Sequence, residues 1–305
     1  MYPLKMKPVF KDYLWGGTKF KDIYNKNVPF EIGAESWEMS VHDNGKSIIA
    51  NGEFAGQTVD VVIGNHFPLL FKLIDARDDL SVQVHPNDNF AASYENGSLG
   101  KTELWYILAA EAGSQLVYGL NGNVTAETFK AAIEEGKIES QLKFVDVKPG
   151  DCFFIPAGLV HAIGRGIMIA EIQQNSDTTY RVYDYNRVGA DGKPRELHIN
   201  KALDVINFNM KYCQPNTTII TKVDKNTITR YIACEYFVFE KIEVESEYKQ
   251  ESNQAEILFF ADGDGIISAN GISEKFQKGD TFVIPQTVKN YEIQGKCVVL
   301  KSCPT

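Results

Sequence analysis

Three short stretches of the 305-residue chain carry side chains able to hold a metal ion. The first is Ser81-Val82-Gln83-Val84-His85-Pro86. In an extended strand, side chains two positions apart share a face. Ser81, Gln83 and His85 therefore line one side, and the two valines line the other. That arrangement turns the valines to a core and the polar side to a cavity or to water. Pro86 has no N–H to donate and ends the strand. The second stretch, Lys101-Thr102-Glu103-Leu104-Trp105, alternates in the same way and puts Lys101 and Glu103 on one face. The third, Pro156-Ala157-Gly158-Leu159-Val160-His161, delivers an imidazole after a Pro/Gly turn. Gln83, His85, Glu103 and His161 make a nitrogen and oxygen donor set suited to one divalent cation. Zinc accepts imidazole nitrogen and carboxylate oxygen, and a catalytic zinc keeps a position for water or substrate. One such residue alone is more often structural. Two on one strand, one on the next and one on a later hairpin is how a small β-barrel builds a site in its mouth.

The elements needed to position these groups are mostly strands. Leu69 to Ile74 reads as a strand before the Asp75–Asp79 turn. Residues 87–100 are turn-rich with a helical turn in the middle, a rim for the cavity. Thr125 to Leu142 is the clearest helical stretch, N-capped by Thr125 and broken by Gly136 into two short helices. His198 to Asn207 is a second helix. From Thr218 onward the pattern is short strands, including Tyr236–Val244, Ile257–Phe260, Gly265–Ala269, Thr281–Ile284, Tyr291–Ile293 and Val298–Lys301. Many short strands at close spacing indicate an all-β sandwich or barrel. Lys148-Pro-Gly-Asp-Cys-Phe-Phe-Ile-Pro156 repeats as Gln277-Lys-Gly-Asp-Thr-Phe-Val-Ile-Pro285. The same strand–turn–strand unit is thus used twice. Five residues after each second proline the copies diverge, His161 against Asn290, and every histidine lies before residue 200. A domain over 1–210 with the metal set, and a second, metal-free domain over 211–305, follow from this.

Composition excludes several classes. At 44% hydrophobic and 23% charged residues the chain is globular. The five cysteines form no C-x-x-C pair, which argues for reduced thiols rather than a disulfide framework or a thiolate zinc site. A net charge of −9 without a basic run excludes nucleic acid as partner. An anionic substrate would need a local cationic pocket. No apolar run spans a bilayer and the N-terminus lacks a signal-peptide core, so the expectation is a cytoplasmic protein with no membrane partner. Three N-x-[ST] matches, at Asn96, Asn123 and Asn216, carry no weight without secretion. The sequence does not fix an oligomeric state.

The block Gly150 to His161, Gly-Asp-x-x-x-Ile-Pro-Ala-Gly-x-x-His, resembles the second signature of the cupin superfamily. Leu80–Pro86, Gly100–Trp105, Ile155–His161, Glu171–Arg181 and the opening Leu14-Trp-Gly-Gly17 together resemble type I phosphomannose isomerases of the short bacterial form. The resemblance implies a mainly β fold of two cupin-like jelly-roll barrels with a few short helices. It implies a sugar-phosphate substrate, mannose 6-phosphate interconverted with fructose 6-phosphate, and one Zn2+ per chain on Gln83, His85, Glu103 and His161. It further implies Arg181 as the active-site arginine, with Lys101, Glu171 and Asp177 as polar neighbours, and Ser81 and Arg187 as phosphate contacts. Lys101 and Glu171 are the candidates for proton handling, and Lys101 is equally a phosphate clamp. The large helical insertion of longer members is missing here, and Val182-Tyr-Asp-Tyr-Asn-Arg187 differs from their sequence. Two other readings compete: a sugar-phosphate-binding or regulatory protein without catalysis, and a cupin oxygenase with iron at the same ligands.

Overall fold

A computed structural model describes residues 1–189, 192–210 and 218–305. Cys213 and Asn216 lie outside the described residues. The chain is mainly β with a few short helices, and none of its described helices is long and apolar enough to cross a membrane. Cys152, Cys234, Cys297 and Cys303 are free thiols.

Contacts divide the chain into two compact units. One unit holds Met1–Lys11, Thr18–Leu73 and the described part of the C-terminal stretch; the other holds Asp12–Gly17 and the chain from Ile74 through residue 210. This division differs from the boundary expected at 210/211. The reason is strand pairing: Leu4–Lys7 runs antiparallel to Thr281–Ile284, with Leu4 opposite Val283. An alternating pattern marks a strand, but it does not say which distant strand will pair with it.

The unit from Ile74 carries the predicted metal ligands. Its five-stranded antiparallel sheet has the order Tyr180–Tyr183, Val82–Val84, His161–Ile163, Gln115–Leu120 and Leu142–Asp146. A second group pairs Glu103–Ala110 with both Cys152–Ile155 and Ile167–Gln174. Val82 and Val84 are fully buried in a cluster with Phe129, Leu142 and Val182, the side expected from their alternation. Helix Ala126–Glu134 is capped by Thr125, which exchanges hydrogen bonds with Thr128. Gly136, at φ 68°, separates it from the 3-10 turn Ile138–Gln141. Asp88–Tyr94 is the helix within the rim, and Ile199–Val205 the helix near the end.

In the other unit the strand order is Ile219–Val223, Asn226–Ala233, Phe237–Val244, Cys297–Pro304, Glu256–Ala269, Thr281–Ile284, Leu4–Lys7 and Ile48–Ile49. Ile257–Phe260 and Gly265–Ala269 belong to one 14-residue strand. It shifts register between Phe260 and Asp262, so its two halves pair with different neighbours. Asn226–Ala233, Glu247–Glu251 and Ile272–Gln277 are strands the pattern did not reveal. Glu-Tyr-Lys-Gln-Glu buries only Tyr248, too little for an alternation signal.

The two copies of the repeat fold alike. Gly150 and Gly279 both sit at φ 92°, a conformation that favours glycine. Asp151 accepts the Lys148 N–H and Asp280 the Gln277 N–H, each at 2.9 Å. Ile155 pairs with Glu103 in the first copy, and Ile284 with Glu256 in the second. Glu256 therefore occupies the place of Glu103. By the same register Lys301, opposite Leu258, takes the place of Glu171, opposite Trp105. Both Glu256 oxygens accept hydroxyl bonds, from Ser252 at 2.9 Å and Tyr291 at 2.6 Å. The carboxylate of the second copy is thus satisfied by the chain itself.

Two stability predictions arise here. Glu38 is fully buried and accepts from Ser36, Thr281 and Lys26. Removing one partner of a buried ion pair strands the other charge. Glu38→Ala is therefore expected to cost about 3–5 kcal/mol in urea unfolding. Glu240 lies between Lys301 at 2.8 Å and Arg230 at 2.7 Å. Burial opposes its charge, but the two cations outweigh burial and hold its carboxyl below the ordinary 4.5. A carboxyl lowered on folding stabilises fully above its unfolded value and loses that contribution as pH falls through the folded value. Glu240→Gln is therefore expected to flatten the fall in urea midpoint below pH 4.5, leaving its slope above that pH unchanged.

Candidate metal centre

His85 follows directly on Val82–Val84, Glu103 opens the strand Glu103–Ala110, and His161 opens His161–Ile163. One ligand atom from each of the three lies within 4.8 Å of the others, and all three residues are buried. His85 Nε2 is 3.1 Å from His161 Nε2 and 3.2 Å from Glu103 Oε1. Gln83 lies opposite His161, and its amide comes within 3.4 Å of His161 Nε2.

The hydrogen bonds decide what these atoms can do. His85 Nδ1 is 2.9 Å from the Thr178 carbonyl, and His161 Nδ1 is 2.8 Å from the Leu159 carbonyl. A carbonyl only accepts, so each Nδ1 carries the proton and donates it. Burial, together with His85, pushes the His161 imidazole down to about 3. Burial and Lys101 lower that of His85. Both rings are then neutral near pH 7, and each Nε2 presents a lone pair. Two lone pairs facing at 3.1 Å make no hydrogen bond with each other. Glu103 is fully buried; its Oε1 is ion-paired with Lys101 Nζ, and its Oε2 has no hydrogen-bond partner among the described residues. Burial alone would raise its carboxyl, but the Lys101 ammonium beside it holds it well below the ordinary 4.5. Two bare imidazole nitrogens and an anionic oxygen converging in a buried space fit a divalent cation. Ligand atoms around a tetrahedral zinc stand about 3.3 Å apart, close to the separations here. The Gln83 amide, turned by half a rotation about its last bond, presents oxygen to the same point.

The remaining predicted residues fall in distinct places. Lys101 is buried with Nζ 2.7 Å from Glu103 Oε1, at the cluster itself. Arg181 is opposite Gln83 across the strand pair, so the two side chains share a face. Its Nε donates to Ser81 Oγ at 3.2 Å and its Nη1 to the Glu196 carbonyl at 2.9 Å. These contacts hold it. Asp177 is exposed, in the loop whose Thr178 carbonyl orients His85. Glu171 is buried and accepts the Trp105 indole N–H at 2.8 Å. Trp105 in turn meets the His161 ring edge-on at 5.3 Å between centroids. Arg187 donates to the Asp79 carbonyl and to Asp184. Sequence reasoning missed the carbonyls of Leu159 and Thr178, which set the imidazole tautomers. It also missed Gln174, which accepts the Thr102 N–H beside Glu103. Backbone carbonyls leave no side-chain signature; Gln174 lies within the quoted Glu171–Arg181 block, and that was its one signal.

Comparison with known proteins agrees with this geometry. Residues 3–113 match the family described as phosphomannose isomerase type I, catalytic domain, and residues 227–304 match mannose-6-phosphate isomerase, cupin domain. The chain is 40% identical to the probable mannose-6-phosphate isomerase GmuF of Bacillus subtilis, with 99% of each chain covered. It is 39% identical to mannose-6-phosphate isomerase ManA of the same organism, over 97% of this chain and 98% of that one. The crystal structure of the mannose 6-phosphate isomerase from Bacillus subtilis superposes with a TM-score of 0.94 at 33% identity, covering 99% of each chain. Crystal structures of phosphomannose isomerase from Salmonella typhimurium share the fold at 18% identity, with a TM-score of 0.79 and 99% of each chain covered. On its ligand geometry and on identity sustained over nearly its whole length, the chain belongs to the type I phosphomannose isomerase family.

Proposed function

We propose that the protein interconverts mannose 6-phosphate and fructose 6-phosphate through an enediolate, with one zinc ion per chain. The observation that carries this is the convergence of two unprotonated imidazole nitrogens and the Glu103 carboxylate, with Arg181 on the same face one residue pair away. A zinc ion held by His85, Glu103, His161 and the Gln83 amide would act as a Lewis acid toward the sugar's oxygens, making the C2 proton more acidic.

The chain's own groups supply the rest. Arg181 keeps its charge at working pH and shares the Gln83 face, where a guanidinium stabilises the negative charge that develops on the enediolate oxygen. Of the two candidates for proton handling, Lys101 is favoured by position. Its Nζ stands at the ligand cluster, 2.7 Å from Glu103 Oε1, whereas Glu171 meets the cluster through Trp105, which donates to its Oε2. Glu171 then acts through Trp105, fixing the indole that packs on His161. Asp177 belongs to the loop that aligns His85. Burial of the cluster limits water at the reacting carbons.

The test is to incubate zinc-loaded protein with mannose 6-phosphate in deuterated water and follow products by NMR. Fructose 6-phosphate should appear, stop with a chelator and resume with zinc. Binding without ketose product would favour a non-catalytic sugar-phosphate protein, and oxygen consumption without isomerisation would favour an oxygenase.

A further inference from the structure

An anionic sugar phosphate needs local positive charge in a chain whose net charge is −9. Arg181, on the Gln83 face, and two further arginines bound to one carboxylate supply it. Asp184 is 5% exposed. Its Oδ1 accepts from Arg187 Nη2 and from Arg195 Nη2 at 2.6 Å, and its Oδ2 accepts from Arg195 Nε at 2.7 Å. The segment carrying Arg195 lies along the Arg181 strand. His198 N–H donates to the Arg181 carbonyl at 2.7 Å, and Arg181 Nη1 donates to the Glu196 carbonyl. The order across the sheet is therefore His161, Gln83 and Arg181, with the Glu196–His198 segment next to Arg181 beyond them.

The two arginines on Asp184 are not equivalent. Arg187 spends all three of its nitrogens on the protein: Nε on the Asp184 carbonyl, Nη1 on the Asp79 carbonyl, and Nη2 on the Asp184 carboxylate. Arg195 uses only Nε and Nη2, and its Nη1 has no hydrogen-bond partner among the described residues. Its side chain is also the more open, 36% exposed against 27%. A guanidinium fixed along one edge by a carboxylate keeps its other donors aimed in a set direction, which suits a phosphate oxygen.

Resting on the function proposed above, we propose that Arg195 is the arginine that selects for the substrate's phosphate, and that Asp184, held by Arg187, is the positioning residue that aims it. Three guanidinium charges against the Asp184 carboxylate and the exposed Glu196 carboxylate leave the cluster net positive. Consistent with this, burial and the nearby Arg195 lower the Arg181 guanidinium from its ordinary value. Arg187, expected to touch phosphate itself, serves in this arrangement to hold Asp184.

The experiment compares wild type, Arg195→Gln and Arg195→Lys. KM and kcat are measured for mannose 6-phosphate and mannose, and inorganic phosphate is titrated calorimetrically into the zinc-loaded protein. Losing a charge-assisted bond should raise KM for mannose 6-phosphate about 30-fold in Arg195→Gln, with a much smaller change in kcat. The preference for mannose 6-phosphate over mannose should narrow by a similar factor, and phosphate affinity should fall with it. Arg195→Lys keeps the charge without the fork and should give a smaller rise. Asp184→Asn should raise KM in the same direction. An unchanged KM and phosphate affinity in Arg195→Gln overturns the proposal, as does an equal loss with phosphorylated and unphosphorylated sugar. If Arg195→Gln does not fold, Arg195→Lys carries the same comparison. Wild type that binds phosphate yet isomerises nothing would overturn the proposed reaction, and the calorimetric comparison would still decide the role of Arg195.

Discussion

His161→Ala is expected to lower turnover of mannose 6-phosphate by at least about 10³-fold, the scale of losing a Lewis acid worth several kcal/mol. The expectation follows from how the ring is held. Its Nδ1 proton is committed to the Leu159 carbonyl, Trp105 packs against it in a T-shaped pair, and burial keeps it unprotonated. Every local contact therefore points Nε2 into the cluster. Alanine removes that nitrogen and leaves His85, Glu103 and the Gln83 amide, which takes a four-ligand set to three and gives up one of its two imidazoles. Zinc affinity, measured by competition with a chromophoric chelator, should fall along with kcat. The orphaned Leu159 carbonyl would cost about 1–3 kcal/mol of stability, so the folded protein should remain available for the assay.

Arg181→Ala is the second large effect and should separate from the first. Removing a group that stabilises developing negative charge costs about 10²- to 10³-fold in kcat. Zinc affinity should be nearly unchanged, because the Arg181 guanidinium donates to Ser81 Oγ and the Glu196 carbonyl rather than to a ligand. Arg181→Lys should recover only part of the loss, since an ammonium cannot bridge both acceptors in the guanidinium's planar geometry. Coupled loss of zinc and kcat in Arg181→Ala would mean that the arginine supports the metal cluster rather than the reaction.

Much of the site was legible because strand parity is a local property. The alternation at Ser81–Pro86 put Gln83 and His85 on one face and the valines in the core, where the structure has Val82 and Val84 fully buried. The repeat marked the turns at Gly150 and Gly279, whose matching φ of 92° explains why glycine recurs there. Long-range relations were not legible. The pairing of Leu4–Lys7 with Thr281–Ile284, which joins the start of the chain to its last third, leaves no trace in either segment alone. The replacement of His161 by Tyr291 in the second copy was offset by one residue: Asn290 stands in line but is exposed, and Tyr291 turns inward to Glu256. The clustering of Arg187 and Arg195 on Asp184 depends on a loop closing back on its own strand, and no spacing rule announces it.

The most direct test of the central claim, that His85, Glu103 and His161 converge on one cation, is X-ray absorption at the zinc edge. It would use protein loaded with one equivalent of zinc. The expected spectrum has a nitrogen and oxygen shell at about 2.0–2.1 Å with outer scattering from two imidazoles, and it loses that scattering when His85 and His161 are both replaced. A sulfur shell near about 2.3 Å, or an all-oxygen shell without imidazole scattering, would contradict it.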